Sequence, residues 1–389
     1  MERKCDYTLL QYQTIEWLRF PLAVAVVFIH SFGYPAIYTL PTLSMQEFSG
    51  MDIYNIIRIC FSHVVTHVAV PTFFLISGFL FFNGKADNLD TWAWWKMKYK
   101  RRFRTLVIPY FLWNLIAILS VLLVIIGTFF LSGKPLSRIF DYFVENHWLH
   151  LFWDSEIWGE DRLNWLGLAV PSTAPVNVPL WFLRDLLVTV VIAPVIYWLV
   201  KYLKYYYVFI LAFCYVSKIW FDIPGLSITA IFFFSLGAFY SIRGINLVME
   251  FKKIKLISFV GGVPLLLITI YFDGNNTAIG FLLYPFFIIM GVCATFNLAV
   301  CLVESGKVKV YPVLSKSAFF IYATHALLVL FVSQLICSKI LYWNNPVILT
   351  LRYFLTPVLA VGICLTLYFV MKKRVPKLLG VLTGGRLVK

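Results

Sequence analysis

The chain reads as long apolar runs separated by short polar ones. Runs of about 20 mostly apolar residues, the length a helix needs to cross a hydrocarbon core, recur near 16–34, 55–82, 105–130, 179–200, 205–221, 226–242, 254–272, 277–303, 313–337 and 347–371. They are continuously apolar, which predicts helices; a membrane barrel needs segments that alternate in polarity. The polar stretches differ in charge. Lys and Arg gather at both chain ends and after the second, fourth, sixth and eighth runs, with seven in 85–104 and six in 372–389. By the positive-inside rule this predicts an all-α, polytopic membrane bundle of about ten transmembrane helices with both termini cytoplasmic.

Composition narrows the class. With 61% of 389 residues hydrophobic and 13% charged, a soluble fold is excluded. The 37 Phe, 22 Tyr and 13 Trp exclude disorder. The net charge of +15 is explained by the topogenic loops, so no nucleic-acid partner is expected. The first run carries Arg19 and His30 and no small-residue cleavage site follows it, which predicts a retained helix and not a signal peptide. Seven scattered cysteines without a Cys-x-x-Cys predict neither a disulfide framework nor a metal site. No internal repeat is visible, and residues 1–389 read as a single membrane domain.

Two polar stretches stand out. Residues 85–104 join Trp92, Trp94 and Trp95 to a dense basic run, as expected of a helix in the cytoplasmic interface. Residues 131–178 form the one long outer loop, rich in carboxylates and carrying Trp148, Trp153, Trp158 and Trp165. Glycan contact and a plain interfacial aromatic belt are both open for it.

Ionisable residues inside a bilayer are costly and by default mark function. Arg19 and His30 share one face of the first helix, about 16 Å apart along its axis, with Pro21 between them. Glu16, one turn before Arg19, offers it a partner. Arg184 and Asp185 fall in the outer part of the fourth run beside Trp181, and Arg352 in the outer part of the tenth. His325 lies near the middle of the ninth, one turn after Tyr322. His63 and His67 occupy one face of the second at a spacing that zinc helices use, but no third ligand or activating Glu accompanies them. No metal site is therefore expected. Phosphate-loop and hydrolase-elbow motifs are also absent.

Arg19 and His30, set in RFPLAVAVVFIH, resemble the first-helix signature of the membrane acyltransferase 3 family. PTFFLISGFLFF at 71–82, Arg101-Arg102-Phe103-Arg104 before Pro109, VPLWFLRDLLV at 178–188 and SKSAFFIYATHALLV at 315–329 resemble four further stretches of that family in the same order. The resemblance implies transfer of an acyl group, commonly acetyl, from a cytoplasmic acyl-CoA to a hydroxyl on an extracytoplasmic acceptor, often a glycan. The pantetheine arm is comparable in length with the separation of Arg19 and His30. On this reading Arg19, Arg101 and Arg104 hold the donor, acetyl-CoA or another acyl-CoA. The alternative for Arg101 and Arg104 is anchoring to anionic membrane lipid.

His30 is expected to act as general base or, second, as a transient acyl carrier. His325 would polarise the thioester or orient His30, and Arg184 would stabilise the oxyanion or hold the acceptor. Ser77 and Gly78 admit the donor closely or merely pack helices. His63, His67, Asp185 and Trp181 are expected on the acceptor side. The reading is thus an O-acyltransferase, most simply an O-acetyltransferase of a cell-surface carbohydrate, multi-pass in a bacterial inner membrane. The chain ends soon after its tenth run, so no appended hydrolase-like domain is expected. The rival is a secondary transporter or flippase for an anionic or glycan substrate. Acetyl against succinyl, the acceptor hydroxyl and a homodimer stay open.

Overall fold

The computed structural model describes residues 6–31, 49–83, 91–133, 150–155, 161–163, 169–171, 173–274 and 278–386. Among these, seven helices are long and apolar enough to cross a membrane: Tyr7–Ile29, Gly50–Phe82, Trp92–Ser132, Lys255–Phe272, Ile279–Glu304, Pro312–Ile340 and Pro346–Arg374. Two bent pairs, Val178–Val191 with Ala193–Leu203 and Ile228–Ile242 with Leu247–Lys253, bring the number to nine if each is one span. The predicted fifth run is a helix only over Tyr205–Ser217, 13 residues or about 20 Å, short of the hydrocarbon thickness. Lys204 and Lys218, both at positive φ (53° and 57°), break the chain at either end of it. The outer loop contributes an antiparallel pair, Asp161–Leu163 with Ala169–Pro171.

Local chemistry sets the helix starts. Asp6 accepts hydrogen bonds from the backbone N–H of Thr8 and Leu9 at 3.0 and 3.2 Å and begins the first helix. Ser49 and Asp52 close a capping box that begins the second. The predicted interfacial helix is not a separate element. Trp92–Arg102 runs through a π-turn, Phe103–Val107, straight into the third span. At 41 residues this helix is far longer than the bilayer needs, so its first turns project beyond the hydrocarbon. Trp94 and Trp95 are buried against Phe81 and Phe82, whereas Trp92 is exposed.

The tightest crossing in the bundle joins the inner half of the second span to Ile228–Ile242. A Cβ on Gly78 would lie 2.0 Å from the Phe234 carbonyl oxygen, and one on Gly237 would lie 2.0 Å from that of Leu75. Hydrocarbon offers no hydrophobic drive between helices, so close backbone approach at small residues carries the packing. Of the two readings open for Gly78, this favours packing, since backbone already fills the space beside it. Around this core, large apolar side chains such as Leu123, Phe130 and Phe209 face outward, as a lipid-facing surface requires.

Gly78→Ala is expected to lower the thermal midpoint of the detergent-purified protein through an overpacking cost of about 1–3 kcal/mol. Gly127→Ala, where a new Cβ meets nothing within 4 Å, is the control and should not lower it. Equal midpoints for the two variants would contradict the crossing described here.

Candidate active site

The first helix places its two singled-out side chains at different depths. Arg19 Nη1 donates to Glu16 Oε2 at 2.9 Å, and both side chains remain about one-third exposed. His30 caps the C-terminal end of the helix. Ser62, in the second span, fastens this end: its hydroxyl donates to the Phe28 carbonyl at 2.7 Å and receives the Tyr353 hydroxyl at 2.7 Å.

The ninth run delivers His325 to the same point, and the ring centres of His30 and His325 are 5.2 Å apart. His325 is fully buried. Its Nδ1 lies 3.1 Å from the Ile321 carbonyl, which can only accept, so Nδ1 carries the proton. Nε2 is left with a lone pair and no hydrogen-bond partner. The chain bends here: Pro312–Thr324 gives way to a π-turn over His325–Val329, within which Leu327 leaves helical geometry at ψ −129°. A π-turn adds a residue to one turn and re-aims the side chains around it.

A second histidine pair faces the first from the second span. His63 and His67 stack with ring centres 6.2 Å apart, and His67 also meets Tyr284 at 6.2 Å. His67 is close enough to His30 to interact with it electrostatically. Here again the helix departs from α geometry, with a π-turn at Cys60–Val64 followed by a 3₁₀ turn at Val65–Val68. The sequence reading passes over Arg58 in this region. It is fully buried, 5.4 Å from the centre of the Tyr54 ring, and within electrostatic reach of His63. It stands inside the apolar run at 55–82, where its charge is the signal that would have found it.

Arg184 has a different setting from the one expected. Its Nε donates to Asp185 Oδ1 at 3.0 Å, and Nη1 reaches the Trp153 carbonyl at 2.7 Å and the Thr173 carbonyl at 3.2 Å. These contacts fasten Trp153 and Thr173, two points of the 131–178 loop, to the bundle and pair Arg184 with Asp185. Asn177, also unforeseen, bridges the loop to the chemistry: its Nδ2 donates to the Ala323 carbonyl at 3.0 Å, and its N–H donates to Asn114 Oδ1 at 3.3 Å. Tyr322 donates to the Pro179 carbonyl. Trp181 is half-buried against Phe74, with ring centres 6.5 Å apart. Of the loop tryptophans, Trp148, Trp158 and Trp165 lie outside the described residues.

At the basic edge of the bundle, Arg101 and Arg104 are exposed and line a cavity of about 790 Å³ together with Lys100 and Lys377. Arg102 turns the other way, half-buried over the Phe81 ring at 5.3 Å. Ser77 is half-buried on the helix between the two levels. Among the described residues no group of three or more His, Cys, Asp or Glu is placed to hold a metal ion.

Replacing Arg184 by Met should free the loop ends. Breaking a buried ion pair costs about 3–5 kcal/mol. Amide exchange over Leu151–Ser155 and Thr173–Val176 should rise at least tenfold, and unchanged exchange would contradict the fastening role.

Comparison with known proteins bears on the whole arrangement. A profile described as an acyltransferase domain matches residues 12–369. The succinoglycan biosynthesis protein ExoH of Rhizobium meliloti (strain 1021) is 25% identical over 347 residues, which cover 85% of this chain and 82% of the relative. No solved structure matches. The profile spans every apolar run and both histidine pairs, and on that match this multi-pass membrane protein belongs to the acyltransferase 3 family.

Proposed function

We propose that the protein is an O-acyltransferase that carries an acyl group, most simply acetyl, from cytoplasmic acyl-CoA to a hydroxyl of an extracytoplasmic polysaccharide. The bundle then lies in the inner membrane of a bacterium, with both termini cytoplasmic and ten crossings once the short helix Tyr205–Ser217 is counted with the nine, the bilayer thinning to meet it. The observation that carries the reading is the His30–His325 pair, 5.2 Å apart, with Arg19 about 16 Å from His30 along the first helix. The polysaccharide acceptor draws support from the succinoglycan biosynthesis relative.

The chemistry follows from the two imidazoles. His30 takes the proton of the acceptor hydroxyl as its oxygen attacks the thioester carbon. The C–O bond forms, the C–S bond breaks, and the imidazolium returns the proton to the departing thiolate. His325 acts as a positioning residue. Its Nδ1 proton is tied to Ile321, which leaves the Nε2 lone pair free to accept a proton from a neighbour such as His30. His67 and His63 line the acceptor approach beside His30. Arg19, Arg101 and Arg104 supply charge for the phosphates of the donor, and guanidinium forks suit phosphate oxygens.

Release of free thiol from acetyl-CoA by the purified protein, with and without a surface-polysaccharide extract, tests this. His30→Ala should lower acceptor-dependent release by roughly 10²–10⁴ with donor binding intact. His325→Ala should lower turnover less and leave KM for the donor unchanged. Arg101→Ala/Arg104→Ala should raise KM for the donor. No thiol release and no acetyl-CoA binding in wild type would contradict the reading and favour a transporter or flippase.

A further inference from the structure

The C-terminal segment lies beyond the residues matched by the family profile, and no step above uses it. It is nevertheless built into the bundle. After the tenth span the chain turns back as a short helix, Pro376–Leu382, with Leu379 and Leu382 buried. Trp113 Nε1 donates to the Leu382 carbonyl at 3.0 Å. Gly384 follows at φ +61°, where a Cβ would lie 2.4 Å from the Thr105 carbonyl oxygen. Only glycine fits that approach. The turn delivers Arg386, whose guanidinium stands 4.3 Å from the centre of the Phe319 ring and donates through Nη1 to the Thr383 carbonyl at 2.8 Å.

Arg386 comes within electrostatic reach of two other arginines from distant parts of the chain, Arg102 and Arg19. Burial first, and then these two neighbours, push its guanidinium down to about 9. Glu16 is committed to Arg19. Among the described residues no carboxylate pairs with Arg102 or Arg386. Three like charges gathered with one counter-ion are unfavourable unless an anion joins them. The same segment also lends Lys377 to the cavity that Arg101 and Arg104 line.

We propose that the C-terminal segment is a wall of the donor site, and that Arg386 binds a phosphate of the acyl-CoA nucleotide together with Arg102 and Arg19. The inference rests on the acyl-CoA reading above. It gives the segment a ligand-binding role that a topogenic basic tail would not need, since a tail that only marks the cytoplasmic side has no use for a fixed glycine turn. The shared chemistry is a phosphate. A free nucleotide supplies it in the proposal, and an anionic lipid headgroup is the other source.

The test is calorimetric titration of the purified full-length protein with CoA, in nanodiscs of phosphatidylcholine and of phosphatidylcholine mixed with phosphatidylglycerol. Arg386→Gln should weaken CoA binding roughly 10- to 100-fold in both lipids, the loss expected for one charge-assisted bond. Its turnover of S-acetylpantetheine, which has no phosphate, should match wild type. Lys377→Ala, at an exposed position, should weaken CoA binding by a smaller factor, and keeps the test valid should Arg386→Gln fold poorly. Unchanged CoA affinity in both variants would overturn the proposal. So would an equal loss with S-acetylpantetheine, which marks a structural residue, or a loss confined to the phosphatidylglycerol discs, which marks a lipid site. Wild type that binds no CoA would refute the acyl-CoA reading itself, an outcome distinct from a variant that binds like wild type.

Discussion

A hydrocarbon core offers no water to a polar group, so each one inside the bundle must be satisfied by protein, face a cavity or bind a ligand. That constraint orders this structure. Most intramembrane hydroxyls bond back to their own helices: Thr72 donates to the Val68 carbonyl at 2.6 Å and Thr324 to that of Phe320 at 2.7 Å. Arg184 is consumed by a carboxylate and two carbonyls. Against that background, the buried Nε2 of His325 has no partner, as is also true of a few hydroxyls such as those of Thr14 and Thr269. It is the one of these that belongs to the His30–His325 pair at the end of the first helix.

The same constraint explains why the site is assembled from helix irregularities. A regular α-helix repeats its faces every 3.6 residues and satisfies its own backbone. The π-turns at Cys60–Val64, Phe103–Val107 and His325–Val329 depart from that repeat, and each lies at the histidines or at the basic cytoplasmic edge. They re-aim side chains without leaving the backbone unsatisfied, which lipid would not tolerate. The outer loop is then fastened beside the histidines through Asn177, Tyr322 and Arg184.

What was legible in the sequence follows from what a bilayer writes into it. Apolar runs show where helices are, because crossing length and burial act residue by residue. The juxtaposition of His30 and His325 was legible only through the family resemblance, since neither run alone says which helix meets which. The break-up of the fifth run was not legible: Lys204 and Lys218 adopt positive φ without a Gly or Asn to announce it. Gly78 was ambiguous between ligand approach and packing until Gly237 was seen across from it. Arg386 escaped notice because a basic residue in a basic chain end is already explained by topology. Charge that serves topology hides charge that serves a site.

In the proposed mechanism one bundle takes its donor from the cytoplasmic side and completes transfer at the outer end of the first helix. Sidedness of transfer tests it most directly. Proteoliposomes with the protein in known orientation are loaded with surface polysaccharide, and labelled acetyl-CoA is supplied on one face only. Label should reach the polysaccharide when acetyl-CoA meets the cytoplasmic face and the acceptor meets the other. Transfer that requires donor and acceptor on the same face would contradict the account.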